Sequence, residues 1–371
     1  MSYPANDVRE ISADDALPPV EPPNAVFILQ LFVVPAIIVL IIITIWWMFS
    51  WLAQRESDPQ DYVRALRRNN QARWQAAVNL AGALQRDNGR GPRSLRFDAT
   101  LARELAGILR DELKTGSMEE GPVRLRMYLC RALGEFAIPE GLPQLIEAIK
   151  TQRDPRENDV RRWALQAVAL LQEHLREYGR GSQGSDLDHP QLDEALLGAA
   201  RDSDPLVRSA AAFTLGVLGE KAHLDELHRM LSDTYPDVRF NAATGLARYG
   251  DAAAVRVLSE MLDPREQAGV NIEAKEARDY KRAMIQMNAL EAVEQLAAKN
   301  SNGNLEPVRR KIERLLDAEL PRTVRVKAAA VLNELKGRAK PPQKQAARPQ
   351  SGVRDAASLT RRVSWQPAMT K

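Results

Sequence analysis

Four histidines are the residues whose type most readily suggests chemistry, because an imidazole binds metal ions and titrates near neutral pH. They are His174, His189, His223 and His228. His223 and His228 share a predicted helix but lie five residues apart, about 140° around its axis, so their rings cannot hold one metal ion together. We therefore expect surface histidines and no metal site.

The single cysteine, Cys130, is the second candidate. It lies on a predicted helix between Leu129 and Leu133, with Arg126 and Arg131 nearby. A lone thiol without a positioned base is a weak nucleophile. We expect a small buried residue, with a reactive thiol as the alternative. One cysteine also forms no internal disulfide, which fits a reducing compartment.

A glycine-rich motif and a run of carboxylates complete the candidates. Gly179 to Gly184 has the spacing G-x-G-x-x-G, but a dinucleotide site requires this motif to follow a strand and open a helix. Here it follows a predicted helix that ends at Tyr178, so we expect a flexible loop. The carboxylates from Glu306 to Glu319 alternate with basic residues at helical spacing, which predicts a solvated face with local ion pairs. The sequence thus predicts no catalytic residue, metal or cofactor.

The N-terminal part of the chain contains a long apolar run. No charged residue lies between Glu21 and Arg55, and about 20 apolar residues suffice to cross a bilayer. We predict a transmembrane helix over residues 25–52. The run ends in bulky residues that suit the membrane interface, Trp46, Trp47 and Trp51, followed by Arg55. A cleavable signal peptide would instead be shorter, with a basic start and a small-residue cleavage site.

The flanking charges predict the orientation of this helix. Arg9 is the one basic residue before it, whereas five arginines follow it closely: Arg55, Arg64, Arg67, Arg68 and Arg73. Because positive charge stays on the cytoplasmic side, we predict a single-pass protein of the inner membrane. The acidic, proline-rich segment 1–24 would lie outside, and the juxtamembrane segment 53–70 and all that follows would lie in the cytoplasm.

The region from residue 71 to residue 336 has the composition of helices, since Ala, Leu, Arg and Glu dominate and no strand-like alternation occurs. It also repeats. Pro205-Leu206-Val207-Arg208 opens one segment, and Pro236-Asp237-Val238-Arg239 opens another 31 residues later. The same frame fits around Arg73, Arg126, Arg161, Ala283 and Arg325. Helices with apolar stripes lie between these copies, which gives about six and a half helix pairs. Such pairs bury their apolar faces only by stacking.

These segments resemble HEAT repeats, in particular the bacterial type that is similar to phycobilisome-lyase HEAT-like repeats. The resemblance rests on the Pro205 and Pro236 openings and is strongest between residues 122 and 262. It implies a right-handed α-solenoid that presents a surface to another macromolecule. It also implies that Arg208 and Arg239 are structural and join adjacent repeats.

Two tryptophans and a basic tail remain. Trp74 and Trp163 fall on the first helices of their pairs, and we expect them in the core, with an aromatic anchor for a ligand as the alternative. The segment 337–371 carries eight basic residues against Asp355 alone. We expect a disordered tail that is simply solvated, contacts anionic lipid, or binds a partner through residues 359–365.

The sequence leaves two classes of function open. The favoured one is a membrane-anchored scaffold that binds a protein partner and catalyses no reaction. The alternative is a lyase-like enzyme or chaperone that handles a prosthetic group, and only the repeat type argues for it. Nucleic-acid binding is disfavoured, because the predicted solenoid has balanced charge rather than a basic stripe.

Overall fold

The computed structural model describes residues 25–53, 59–68, 73–87, 89, 94–178, 186–265, 275–300 and 303–338. These residues form fifteen α-helices and no strand, so the all-α prediction is confirmed. The chain divides into two compact units, one that ends at Tyr62 and one that begins at Val63. The tail 337–371 lies outside the described residues except for Gly337 and Arg338, which end the last helix.

The helices have the following bounds: α1 Ala25–Ala53, α2 Pro59–Arg67, α3 Arg73–Arg86, α4 Ala99–Thr115, α5 Glu120–Gly134, α6 Leu142–Lys150, α7 Glu157–Tyr178, α8 Leu192–Ala199, α9 Pro205–Leu218, α10 Lys221–Met230, α11 Pro236–Arg248, α12 Val255–Met261, α13 Lys275–Lys299, α14 Glu306–Leu316 and α15 Arg322–Arg338. From α3 onward they form six pairs and a final single helix, as the repeats predicted.

Helix α1 is the apolar helix of the first unit. It contains 29 residues, none of them charged, and Pro35 lies inside it. Its segment Leu31–Ser50 has a mean hydropathy of 2.8 and no buried side chain. Among the described residues, α1 is the one helix long and apolar enough to cross a membrane.

The second unit is a stack of two helix layers. The first helices of the pairs, α3, α5, α7, α9, α11, α13 and α15, pack against one another in chain order. The second helices pack over them, so that α6 contacts α7 and α10 lies against both α9 and α11. Side chains such as Leu129, Leu165 and Leu246 have no exposed surface between the layers. Each pair covers the apolar stripe of the next, and this is the arrangement of an α-solenoid.

Small residues bring the first helices very close together. A Cβ atom placed on Gly216 of α9 would lie 2.6 Å from the Cα atom of Gly245 in α11. One on Gly134 of α5 would lie 2.7 Å from the Cα atom of Ala167 in α7. Because the obstacle in both cases is backbone, these two contacts depend on glycine. Gly219 ends α9 with a φ of 75°, a conformation that glycine adopts without strain.

Candidate functional site

Three aromatic side chains form a row across the first helices. The rings of Trp74 in α3 and Tyr128 in α5 are stacked with 6.1 Å between their centroids. The ring of Trp163 in α7 meets Tyr128 edge-on at 5.2 Å. All three side chains are half-buried. We name Trp74, Tyr128 and Trp163 the aromatic ladder.

The repeat register explains why the ladder forms. Tyr128 and Trp163 each lie two residues after the arginine of their repeat, Arg126 and Arg161. Equal positions on adjacent stacked helices face the same way, so the two rings meet. The same position is Ala210 in α9, which is buried and carries no ring.

Charged groups flank the ladder. The Arg124 guanidinium lies over the Trp74 ring, 5.3 Å from its centroid, and also pairs with Glu120 at 2.5 Å. Arg162 pairs with Asp159 at 2.8 Å. A cation over an indole face is attracted by the ring's negative quadrupole. The surface therefore combines half-exposed aromatic area with arginine, which is the composition that contributes most binding energy at protein interfaces.

The ladder corrects part of the sequence analysis. Trp74 and Trp163 are half-buried and not in the core, because each contacts Tyr128 on one side and remains partly exposed on the other. The alternative, an aromatic anchor for a ligand, stays a prediction. Tyr128 was not predicted as a functional residue, although its offset from Arg126 matches the offset of Trp163 from Arg161.

The repeat motif opens its helices as local chemistry requires. Pro205 and Pro236 occupy the first turns of α9 and α11, where a missing N–H costs nothing. The Asp204 carboxylate caps α9 by accepting hydrogen bonds from the backbone N–H groups of Leu206 and Val207. Val207 and Val238 have no exposed surface.

The motif arginines lie at the loops that join the repeats. Arg208 pairs bidentately with Asp233, with its Nε and Nη2 atoms 2.8 and 2.9 Å from the two carboxylate oxygens. It also donates to the carbonyl of Asp202 at 2.9 Å. Arg239 donates to the carbonyl of Asp233 at 2.9 Å and pairs with Glu260. Each arginine thus contacts its own loop and an acidic residue further along the chain.

The acidic partners of these arginines were not singled out from the sequence. Asp202 and Asp233 each lie three residues before the proline that opens a first helix. Asp202 pairs with Arg161 at 2.5 Å. Burial alone would raise the pKa of both carboxyls, but hydrogen bonds from their arginine and from a backbone N–H outweigh it and lower the pKa.

We expect Asp233→Asn to lower the free energy of unfolding by about 1.5 to 3 kcal/mol at pH 7, because the charge-assisted pair with Arg208 is lost. The folded-state pKa of Asp233 lies below its ordinary value of 3.8, so this stabilisation is present above that pH and is lost as the pH falls through the folded-state pKa. Urea unfolding at pH 7 and at pH 3 measures this effect. The difference in free energy of unfolding between the variant and the wild type should be smaller at pH 3 than at pH 7. The exposed Asp225→Asn is the control, and equal effects of both substitutions would contradict the assignment.

The residues expected at the membrane interface are only partly described. Trp46 and Trp47 lie in α1 with 68% and 66% of their surface exposed. Trp51 also belongs to α1, and Arg55 lies outside the described residues.

The histidine prediction was wrong for two of the four residues. His174 and His223 are buried, because neighbouring repeats close over them. His174 Nε2 accepts a hydrogen bond from Arg96 Nη1 at 3.0 Å, and its Nδ1 lies 3.2 Å from the carbonyl oxygen of Gly134, to which it can only donate. His189 is half-exposed and His228 is exposed.

His223 also lies in a group of possible metal ligands that the sequence did not indicate. Its Nε2 atom lies 2.9 Å from an Asp193 oxygen, and ligand atoms of Asp193, Glu220 and His223 lie within 4.8 Å of one another. The two carboxylates are solvent-accessible, and the contact that the structure shows is a His–Asp hydrogen bond. Asp193 in α8 and His223 in α10 are 30 residues apart in sequence, so no local spacing reveals the group.

The remaining chemical candidates behave as structural groups. Cys130 is buried as predicted, and burial raises the pKa of its thiol to about 12, so the reactive thiolate is disfavoured. Hydrogen bonds from Arg309 and Arg310 lower the pKa of Glu306 to about 2, in line with the local ion pairs expected there. The motif from Gly179 to Gly184 lies outside the described residues.

Comparison with solved structures gives matches at low identity, each with a TM-score below 0.5. The archaeal HEAT-like repeats protein from Thermococcus onnurineus is 14% identical, with 77% of this chain and 100% of that chain covered and a TM-score of 0.41. YibA from Escherichia coli is 15% identical, with 75% and 93% covered and a TM-score of 0.38. The complex of CpcE and CpcF of phycocyanin lyase from Nostoc is 16% identical, with 76% and 95% covered and a TM-score of 0.35. No function follows from likeness at this level.

The family comparison is more direct. Residues 193–277 match the family model of HEAT repeats, whereas a search of curated proteins gives no match. The matched segment runs from α8 into α13 and contains both the Pro205 and Pro236 openings. This segment of the chain therefore matches HEAT repeats, the family that these two openings predicted.

Proposed function

We propose that the chain is a single-pass scaffold of the inner membrane whose HEAT-repeat solenoid binds a protein partner at the cytoplasmic face through the aromatic ladder. The observation that carries this proposal is the row Trp74, Tyr128 and Trp163 with Arg124 at its edge. Tryptophan, tyrosine and arginine dominate the energetic centres of protein interfaces. HEAT repeats generally mediate protein interactions, which agrees with a docking role.

Helix α1 and the charges that flank it support the proposed anchor and its orientation. A bilayer would cover the exposed apolar side chains of α1, and the arginines that follow the helix would stay in the cytoplasm. Protease added outside sealed cells should then leave the solenoid intact. The basic tail 337–371 would add a second, weaker contact with anionic lipid. Nucleic acid is not a proposed partner, because basic and acidic residues of the solenoid pair with one another.

The scaffold is proposed to catalyse no reaction. Among the described residues, ionisable groups such as Arg126 and Glu157 lie close together but are buried between repeats, with 0% and 1% of their side-chain surface exposed. Substrate does not reach a group that is closed off in this way. The surface of the ladder offers contact area and a cation, which serve binding rather than bond cleavage.

Affinity purification from carbonate-washed membranes tests the proposal. Arg124→Glu and Trp163→Ala should each reduce recovery of a specific partner by at least about tenfold, since hot-spot truncations cost about 2 kcal/mol or more. Arg124 is exposed, so its substitution leaves the packing intact even if Trp163→Ala is destabilising. Tyr280→Ala is the matched control, because Tyr280 is an aromatic residue of α13 with 65% exposure. Equal recovery from all variants, or protein washed off the membrane, would overturn the proposal.

A further inference from the structure

A cleft of about 620 Å³ is lined by residues of α2, α3 and α4, none of which belongs to the aromatic ladder. Four arginines line it: Arg67, Arg73, Arg103 and Arg110. The acidic residues of its lining are Glu104, Asp111 and Glu112. The cleft therefore has more positive than negative groups at its surface.

Helix α4 forms the floor of this cleft. Arg103, Gly107 and Arg110 lie at positions i, i+4 and i+7, which place them on one face of the helix. Gly107 leaves a depression between the two arginines, since a Cβ atom there would meet only Arg110 Nη2, at 3.9 Å. The arginine side chains thus surround a floor that has room for a small group.

Three of the four guanidinium groups keep hydrogen-bonding capacity toward the solvent, whereas Arg73 is only 24% exposed and pairs with Glu112 at 2.9 Å. Arg67 lies 3.7 Å from Glu104 with 66% of its side chain exposed, and Arg110 lies 3.6 Å from Asp111 with 50% exposed. Arg103 is exposed and donates Nε to the carbonyl of Ala99 in its own helix. A guanidinium has five N–H donors, so one such contact leaves others for a ligand. Planar donors of this kind match the oxygens of a phosphate group.

We propose that this cleft binds the phosphate of an anionic lipid headgroup. The inference rests on the membrane anchor of the proposed function. Five residues separate Ala53 of α1 from Pro59 of α2, and such a connection spans no more than about 20 Å. A bilayer-spanning α1 therefore tethers α2, which ends at Arg67 of the cleft, to the membrane through a short connection, and this favours a lipid over a free anion as the source of phosphate.

Native mass spectrometry of the full chain in detergent tests the cleft, with phosphatidylglycerol and phosphatidylcholine as the probe lipids. Gly107→Glu fills the depression with a negative charge and removes no arginine. We expect it to reduce the apparent affinity for phosphatidylglycerol at least about tenfold, and Arg103→Gln with Arg110→Gln to do the same. Gly107→Ala is the matched control, and Arg310→Gln with Arg314→Gln on α14 controls for total charge. Both controls should bind phosphatidylglycerol as the wild type does.

Three outcomes would overturn the inference. The first is equal binding of phosphatidylglycerol to wild type and Gly107→Glu, and the second is binding of phosphatidylcholine as tight as that of phosphatidylglycerol. The third is binding of inorganic phosphate with the same affinity and the same sensitivity to Gly107→Glu, which would identify a free anion as the ligand. Failure of the anchor is a separate result: carbonate would then release the wild-type protein from membranes, whereas failure of the cleft leaves it there.

Discussion

Glu157→Ala should lower the free energy of unfolding by about 3 to 5 kcal/mol, because it leaves the buried Arg126 guanidinium without its counter-charge. Arg126 Nη1 lies 3.5 Å from Glu157 Oε1, and the two side chains are 0% and 1% exposed. Burial lowers the pKa of Arg126, and Glu157 opposes this effect. Glu157 also accepts a hydrogen bond from the backbone N–H of Arg153 at 2.9 Å. Its loss therefore affects both the contact between α5 and α7 and the turn that precedes α7.

Urea unfolding of the detergent-solubilised protein measures this effect. The control is Glu194→Ala, since Glu194 is 71% exposed and pairs with Lys150 at 3.3 Å. Such a surface pair contributes about 0 to 1 kcal/mol. Replacing Arg126 and Glu157 together by methionine should restore most of the lost stability, because no charge is then buried. An effect of Glu157→Ala no larger than that of Glu194→Ala would show that the pair is unimportant.

Gly216→Val should lower the free energy of unfolding by about 3 kcal/mol or more. Overpacking a core costs about 1 to 3 kcal/mol when side chains can adjust, but here the new Cβ atom would lie 2.6 Å from the Cα atom of Gly245. Backbone cannot rotate away, so α9 and α11 must separate. A loss of this size is a large share of the total stability of a domain.

The matched control for Gly216→Val is a glycine without this constraint. Gly198 lies in α8, and a Cβ atom there would meet nothing within 4 Å. Gly198→Ala should raise stability by about 0.5 to 1 kcal/mol, because alanine forms helices better than glycine. Thermal unfolding of both variants measures the difference. A Gly216→Val protein that melts with the wild type would contradict the close approach of the two helices.

The helix pairs could be predicted from the sequence, because the patterns that mark each helix are local. The apolar stripe of a helix repeats every three or four residues, and the openings at Pro205 and Pro236 mark where first helices start. Stacking then follows from the need to cover those stripes. The same logic indicated that Cys130 is buried, since it lies between two leucines of one stripe.

Contacts between repeats could not be predicted from the residues that are close together in sequence. Arg96 lies in a stretch that appears as a polar loop in sequence, yet only 1% of its surface is exposed, and it donates to the carbonyl of Glu135 at 2.9 Å. Burial of His174 depends on this same contact region. Nothing near either residue in sequence shows that a helix from another repeat covers it.

The aromatic ladder lies between these two cases. Its members are 35 residues or more apart in sequence, but the offset from the motif arginine places Tyr128 and Trp163 in one register. Comparing the offsets of Tyr128 from Arg126 and of Trp163 from Arg161 would have predicted that the two rings meet. The sequence does not indicate how far such side chains protrude, which depends on the neighbouring side chains that partly cover them.

The most direct test of the docking role is photo-crosslinking in intact membranes. The full chain would carry p-benzoylphenylalanine in place of Tyr128 on the ladder or, separately, in place of Tyr280 on α13. The proposed scaffold predicts a discrete adduct with a second protein from position 128, absent from position 280 and lost when Arg124→Glu is added. No adduct from position 128, or the same adducts from both positions, would contradict it.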